Sequence, residues 1–457
     1  MKLVVTILEE TMESAIDAIR AVDQDHDWIE VRAEQFPSID LHAVRASTRK
    51  PIILTYRNTP IRNAKEAIEA GIDLVDVEWK DDVTIDVPER TVLSHHDYEG
   101  MREIEAIWEK MLARNCAHTK LAATPKNFAE NERLLALLRG ENRDNREIPP
   151  LPTLGRDDTN TNVTTVLPPT ANRQPPTNQT IIGMSERGLY SRVLAPFRGS
   201  AFAFVAGSNI AAPGQLTLAR ALDLYSREPQ RADRVFAVLG NPAGHSLSPS
   251  IHNRLFREKR VPAVYTIASF ETFAEITGAF LRGEPCGLSV TTPFKDEAFA
   301  FAKRINAEIG ENALRAEAVN TLVNVNGRVI ADNTDVDGFV ALLPNDTKRA
   351  AIVGAGGTAR AARVALENAG TAFTRFNRTA SKADASLSEL QNFDGDLIIN
   401  TLPGDIDIAI PRCRVYIEAA YTAEPREVAD VRVDGLELLR AQAVRQHQLF
   451  MKVFDGF

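Results

Sequence analysis

Cysteine is scarce in this chain. There are three in 457 residues, Cys116, Cys286 and Cys413, odd in number and far apart. That excludes a disulfide framework and suits a reducing compartment. Long apolar runs are missing too. None approaches the roughly 20 residues that a membrane-spanning helix needs, so no membrane partner is expected. Basic charge is in deficit: the net charge is −9, with no basic block. This argues against a nucleic-acid partner and for small molecules. No charged-then-apolar leader precedes the strand-like opening Lys2-Leu3-Val4-Val5-Thr6-Ile7-Leu8, so a cytoplasmic location is expected. What remains is an ordinary globular mixture, 44% apolar and 25% charged. The length exceeds what one hydrophobic core supports, so two or three domains are expected.

The first half alternates short apolar runs with amphipathic stretches such as ETMESAIDAIRAV and NAKEAIEAG. Strands are predicted near 3–8, 27–33, 51–57, 73–79, 90–95, 118–123, 179–183 and 200–205. Eight strands alternating with helices fit a (β/α)8 barrel; an open doubly wound sheet is the competing reading. Side-chain parity separates them. In DWIEVRAE, Ile29 and Val31 share one face, while Trp28, Glu30 and Arg32 share the other. In DLVDVEW, Val75 and Val77 oppose Asp76 and Glu78. A doubly wound sheet buries both faces under helices and would strand those charges. A barrel lumen that opens into a site can hold them, so the barrel is favoured. Residues 141–180, rich in Asn, Thr, Pro and Arg, read as a long insertion between the sixth and seventh barrel units.

The polar run LYSREPQRADR, 224–234, divides the chain near residue 229 into 1–228 and 233–457. VFAVLGNP then starts a new strand. Further on, RAAIVG runs into AGGTARAARVALENAG: strand, Gly-rich turn, helix, a dinucleotide-binding start. Gly354, Ala355, Gly356, Gly357, Thr358 and Ala359 would set backbone N–H groups and a helix N-terminus against a pyrophosphate. Asn377-Arg378-Thr379 follows about twenty residues on, where an NAD site offers an acidic residue to the ribose. Arg378 suits the 2′-phosphate of NADP instead, so NADP(H) is the expected cofactor.

Two features of the first half carry chemistry. Lys120 lies inside the predicted strand CAHTKLAAT. It is either an edge lysine reaching solvent or a lumen amine, made nucleophilic by desolvation and arginine neighbours, that attacks a ketone. In VLSHHDYEG, His95 and His96 point to opposite sides of a strand end, so only one faces the lumen. An imidazole beside a lumen carboxylate such as Glu78 suits proton transfer near neutral pH. A zinc pair lacks further ligands in order, and no metal is expected.

Taken together, IEVRAE, LTYR, DLVDVE, SHHDY, HTKLA, MSERGLYSRV and AAPGQ resemble type I 3-dehydroquinate dehydratases over nearly the whole half. The resemblance implies an imine between Lys120 and the substrate ketone. It makes His96 the acid–base group, Glu78 its orienting partner and His95 structural. Glu30, Arg32, Arg57 and Arg192 would hold the substrate, and Gln215 would close the site. Ala211 stands where the family usually has Ser, and Asn58-Thr59-Pro60 replaces a Gly-rich turn.

The second half offers GNPAGHSLSPSIHN, GLSVTTPFK, EAVNTL, DNTDVDGF and GLELLRAQAVRQ. A Lys and an Asp among hydroxyl and amide side chains suit a small polyol acid. These segments look like shikimate dehydrogenase. By that resemblance Lys295 and Asp335 are the catalytic pair. Ser246, Ser248, Thr291, Asn320 and Gln442 hold the substrate, with Tyr421 close by. Ser289 and Glu418 depart from the frequent Asn and Asp.

The expectation is therefore an α/β protein. An N-terminal (β/α)8 barrel precedes a two-lobed dehydrogenase with its substrate lobe near 233–340 and a Rossmann-like NADP lobe near 341–435. A C-terminal helix returns to the substrate lobe. The expected reactions are dehydration of 3-dehydroquinate to 3-dehydroshikimate and reduction of that product to shikimate. Two alternatives stay open: a catabolic quinate/shikimate dehydrogenase using NAD, and a regulatory homologue without catalysis. The sequence does not fix the oligomeric state; a monomer is compatible with it.

Overall fold

Period-two patterning shapes the first half. Its strands are β1 (Lys2–Ile7), β2 (Trp28–Arg32), β3 (Ile52–Thr55), β4 (Leu74–Glu78), β5 (Thr91–Asp97), β6 (His118–Ala123), β7 (Gln179–Gly183) and β8 (Phe202–Ala206). Each lies within two residues of its expected ends. Consecutive strands from β1 to β7 pair in parallel, and β8 pairs in parallel with β1. Ala201 N donates to Gln179 O at 2.7 Å, which brings the starts of β7 and β8 together. The result is the expected (β/α)8 ring. The computed structural model describes all residues except 23–25, 37, 57–63, 140–177, 208, 226–231, 405, 424–425 and 456–457. Arg57, Asn58-Thr59-Pro60, most of the linker stretch and residues 141–177 of the expected insertion thus lie outside the described residues. The expected insertion overran at its end, because β7 begins at Gln179.

Helices between the strands begin where side chains satisfy their first N–H groups. Thr11 and Ser14 form a capping box on Met12–Ala21, and Asn127 caps Phe128–Ala136. Ile29, Val31 and Val75 are almost fully buried, while the other parity points inwards. There Val4, Ile53, Val92, Phe202 and Phe204, with Trp28 and Leu74 against them, make an apolar floor. Two positions later on these strands come polar groups: Thr6, Glu30, Thr55, Asp76 and Ser94. A strand's side chains alternate faces, so Trp28, Glu30 and Arg32 climb one wall from floor to mouth. The site therefore forms at the C-terminal ends of the strands.

The chain divides into two units. The first is Met1–Asp233 with Pro242–His245 and Arg260–Glu271; the second is Arg234–Asn241, Ser246–Lys259 and Thr272–Phe457. Strands β9 (Arg234–Gly240), β10 (Ala263–Ser269), β11 (Gly287–Val290), β12 (Glu308–Ile309), β13 (Thr321–Val325) and β14 (Arg328–Asp332) follow the barrel. By this division β10 groups with the first unit. β9 and β11 are parallel, whereas β13 runs antiparallel to both β11 and β14. The last sheet comprises β15 (Arg349–Val353), β16 (Ala372–Asn377), β17 (Ala385–Ser386), β18 (Leu397–Asn400), β19 (Cys413–Glu418) and β20 (Ala429–Val433). All its pairs are parallel, in the order β17-β16-β15-β18-β19-β20. The chain leaves β15 towards one edge and returns to build the other, so a crevice opens at the C-terminal end of β15. The helix Gly435–Met451 then sends Gln442 and Gln446 back to residues 320–334.

Candidate active sites

In the barrel, strand register assembles the first site. Thr6 stands opposite Glu30, Thr55 opposite Asp76, Glu78 opposite Ser94, and Ser94 opposite Lys120. All of these face inwards. Glu30, Arg32, His96, Lys120, Arg192 and Gln215 line one cavity.

Lys120 is 2% exposed. Its amine donates to Asp76 at 3.0 Å, lies 3.5 Å from Glu30, and sits 4.0 Å from the centre of the Phe204 ring. The edge-lysine reading is thereby removed. The charges nearest the amine are carboxylates, while the expected Arg32 and Arg192 line the same cavity farther out. Glu30 is fixed by two hydroxyls, Thr6 at 2.7 Å and Thr55 at 2.9 Å. Asp76 accepts from Ser94 Oγ at 2.5 Å.

Glu78 grips His96 twice. One oxygen accepts the His96 backbone N–H at 2.9 Å, and the other lies 2.7 Å from Nδ1. With Nδ1 so engaged, any proton this ring exchanged with a substrate would pass through Nε2. His95 is farther out, its Nδ1 3.9 Å from Glu78. The exposed Tyr98 stacks on His96 with ring centres 6.0 Å apart. Burial opposes ionisation of Asp97, but N–H bonds from Arg102, Glu99 and Gly100 outweigh it and hold its carboxyl below the usual range. Those bonds brace the turn that carries Tyr98.

Arg192 is 7% exposed and donates Nε to Gly183 O at 2.7 Å. Burial pushes its guanidinium down to about 10, still a cation at neutral pH. Arg32 pairs with Glu34. Gln215 accepts from Ala211 N at 2.7 Å and donates to Thr6 at 3.3 Å. Ala211 thus contributes its backbone rather than the hydroxyl of the more usual Ser.

The second site belongs to the second unit. Register sets the end of β11 beside the start of β13, so Thr291 and Asn320 leave the same sheet edge. Ser246 and Ser248 are buried at the start of the helix Ser248–Glu258. Lys295 opens its own helix and donates to Asp335 at 2.5 Å and to Thr358 Oγ1 at 2.9 Å. Asp335 also accepts from Asn320 at 2.8 Å. Thr334, bonded to Asn320, donates to Gln442 at 2.8 Å. Ser289 donates to Gln446 at 2.6 Å, so this departure has a partner of its own. Glu418 is buried and accepts from Tyr416 at 2.6 Å and Asn400 at 3.0 Å.

The Gly-rich turn fits a dinucleotide. Gly354 has φ +114, a conformation that favours glycine, and follows β15 at the crevice. The helix Gly357–Asn368 has no side-chain cap and no acidic residue in its first turn, which leaves its N–H groups for an anion. A side chain at Gly357 would press 3.0 Å from Lys295 Cδ. Ala355 lies in the turn, and Ala359 is the third residue of the helix. Asn377 ends β16, and Arg378 and Thr379 after it are exposed. Among the described residues, no group of three or more His, Cys, Asp or Glu is arranged to hold a metal ion, and no helix is long and apolar enough to cross a membrane.

Sequence reasoning missed Asp76, Ser94 and the Thr358–Lys295 bond. Parity had already put Asp76 on the lumen face; its depth and partner were the missing facts.

A buried amine with a braced imidazole, and a lysine–aspartate pair beside a dinucleotide turn, define a two-site enzyme of carbonyl chemistry. Comparison with known proteins sharpens the class. The model of type I 3-dehydroquinase matches residues 3–153 and 157–230, and that of the shikimate dehydrogenase substrate binding domain matches 238–322. The chain is 27% identical to "Shikimate biosynthesis protein AroDE" of Chlamydia pneumoniae, covering 94% of this chain and 91% of that protein. It is 24% identical to the chloroplastic bifunctional 3-dehydroquinate dehydratase/shikimate dehydrogenase of Arabidopsis thaliana, over 95% and 79% respectively. Among solved structures, it is 25% identical to the Thermus thermophilus shikimate 5-dehydrogenase in complex with NADP(H) and shikimate, with a TM-score of 0.42 over 47% of this chain and 92% of that one. The chain belongs to the bifunctional family that joins a type I 3-dehydroquinate dehydratase to a shikimate dehydrogenase, a lyase and an oxidoreductase of the shikimate pathway.

Proposed function

We propose that Lys120 is the nucleophile that forms an imine with 3-dehydroquinate. The protonated imine withdraws electrons from the adjacent carbon. His96, through Nε2, takes a proton from that carbon and delivers it to the departing hydroxyl. Glu78 holds the imidazole in one tautomer and offsets its charge while the proton is aboard. Arg32, Arg192 and Arg57 supply cations for the substrate carboxylate and hydroxyls. Glu30 adds an acceptor, and Gln215 closes the site. The observation that carries this reading is the shared cavity: a desolvated amine and a Glu78-held imidazole face one space.

In the second unit, Lys295 and Asp335 bind and protonate the carbonyl oxygen of 3-dehydroshikimate. Asn320, Gln442, Ser246, Ser248, Thr291 and Tyr421 orient its carboxylate and hydroxyls. Gly354, Ala355, Gly356, Gly357, Thr358 and Ala359 would hold the pyrophosphate of NADP(H), and Asn377, Arg378 and Thr379 its 2′-phosphate. When bound, that cofactor supplies the hydride. Arg378 favours NADP over NAD. Substrates are small molecules, and the cytoplasm is the proposed location.

The test is conversion of 3-dehydroquinate plus NADPH to shikimate by the purified chain. A Lys120→Ala variant should stop at 3-dehydroquinate, and a Lys295→Ala variant should accumulate 3-dehydroshikimate. Faster turnover of quinate with NAD than of shikimate with NADP would replace this reading by the catabolic one. No conversion of any of these substrates would leave the regulatory one.

A further inference from the structure

A lysine that must attack a ketone begins as an ammonium, so something has to remove its proton. The groups around Lys120 Nζ decide what. Asp76 is 1% exposed and accepts from Nζ at 3.0 Å. Glu30 is farther, at 3.5 Å, and both its oxygens already take hydroxyl donors. Asp76 is aimed by Ser94, whose hydroxyl lies 2.5 Å from one Asp76 oxygen and 3.3 Å from Glu78. Glu78 in turn holds His96. A hydrogen-bonded line thus runs Lys120–Asp76–Ser94–Glu78–His96.

We infer that Asp76 is a catalytic base of the dehydratase, the group that takes the proton from the Lys120 ammonium so that imine formation can begin. This rests on the reading of Lys120 as the nucleophile. A ketone entering the cavity displaces water, and a buried ion pair loses ground to the neutral amine and carboxylic acid as its solvation falls. The neutral amine then adds to the carbonyl carbon; a C–N bond forms, the C–O double bond becomes single, and a proton passes from the nitrogen to that oxygen to give C–OH. Loss of that hydroxyl as water needs one more proton, and the one held on Asp76 supplies it. Ammonium plus ketone becomes protonated imine plus water, so atoms and charge balance. The same carboxylate acts in reverse when water releases the product and the ammonium is restored. Depth separates the two carboxylates on this strand: Asp76 serves the amine, and Glu78, two residues nearer the mouth, serves the imidazole.

The test follows imine formation itself. Wild type, Asp76→Asn and Asp76→Glu are mixed rapidly with 3-dehydroquinate, quenched with borohydride, and scored by intact mass for a reduced adduct on Lys120, from about pH 6 to about pH 10. Asp76→Asn is expected to slow adduct formation about a hundredfold at neutral pH. It should recover towards wild type as the pH rises, because hydroxide takes the proton instead. Asp76→Glu should restore part of the rate. Reduction of 3-dehydroshikimate by the second unit normalises the amount of chain, and an unchanged far-ultraviolet circular dichroism spectrum shows that each variant barrel is folded. An Asn variant that forms adduct at the wild-type rate at neutral pH overturns the inference. So does one that stays equally slow at every pH, since that marks a purely structural residue. Failure of wild type itself to form an adduct on Lys120 would instead sink the imine reading, which keeps the two failures distinct.

Discussion

The chain carries two lysines with proposed catalytic roles, and the contrast between their settings is instructive. Lys120 sits on a strand in the barrel wall, its side chain 3% exposed, between Asp76 and Glu30. Lys295 opens a helix, its side chain 13% exposed, with one carboxylate and one hydroxyl as partners. A nucleophile has to shed its proton and meet a carbon, so it gains from a dry, rigid setting with an acceptor at hand. A proton donor has to be recharged each turnover, so it gains from lying nearer solvent. Burial and the number of neighbouring carboxylates thus separate the two lysines in the way the two proposed chemistries require.

That contrast breaks most sharply at the lysines themselves. Lys120→Met should abolish dehydration and leave reduction intact. Lys295→Met should leave dehydration intact and lower reduction by about 10²–10⁴-fold. Separate assays on 3-dehydroquinate and 3-dehydroshikimate check both, and loss of both activities from either change would undo the division. His96→Ala should also cost about 10²–10⁴ in dehydration, yet still permit a borohydride-trapped adduct, because proton abstraction follows imine formation.

A third prediction compares stability. Burial, joined by Lys120, lowers the His118 imidazole to about 3 in the first unit. In the second, burial lowers His252 to about 3 and His447 to about 4. An unfolded imidazole titrates near 6.5. Between about 6.5 and the folded values, the unfolded chain therefore binds protons that the folded chain refuses. The stabilisation is complete above about 6.5 and fades as the pH falls towards 4 and 3, by about 1.4 kcal/mol per pH unit for each group. With two such groups described in the second unit against one in the first, reduction should be lost to acid before dehydration. Residual activities after incubation at pH values stepped from about 7 to about 4, assayed back at neutral pH, test it; loss of dehydration first would contradict it. The smallest effect is expected from Thr358→Val, a few-fold fall in the rate of reduction, with Thr358→Ser restoring it. Steady-state kinetics on 3-dehydroshikimate would show it.

Much of this was legible beforehand because it depends on local pattern. Alternation in DWIEVRAE and DLVDVEW placed Glu30, Arg32, Asp76 and Glu78 in the lumen, and all eight strands formed near their expected ends. The Gly-rich turn fell between β15 and its helix as its small residues required. What was illegible depends on partners distant in sequence. Lys120 and Asp76 are separated by 44 positions, and only the stagger of β4, β5 and β6 brings them within a hydrogen bond. Lys295 meets Thr358 across 63 positions, through the packing of two helix starts. Parity says which face a side chain takes; register and depth say whom it meets.

The most direct test of the account is the mass of the peptide containing Lys120 after the chain is treated with 3-dehydroquinate and borohydride. A shift equal to one reduced substrate or product, carried by Lys120 and missing from Lys295, is the predicted result. An unmodified Lys120 peptide in a chain that still dehydrates its substrate would contradict it.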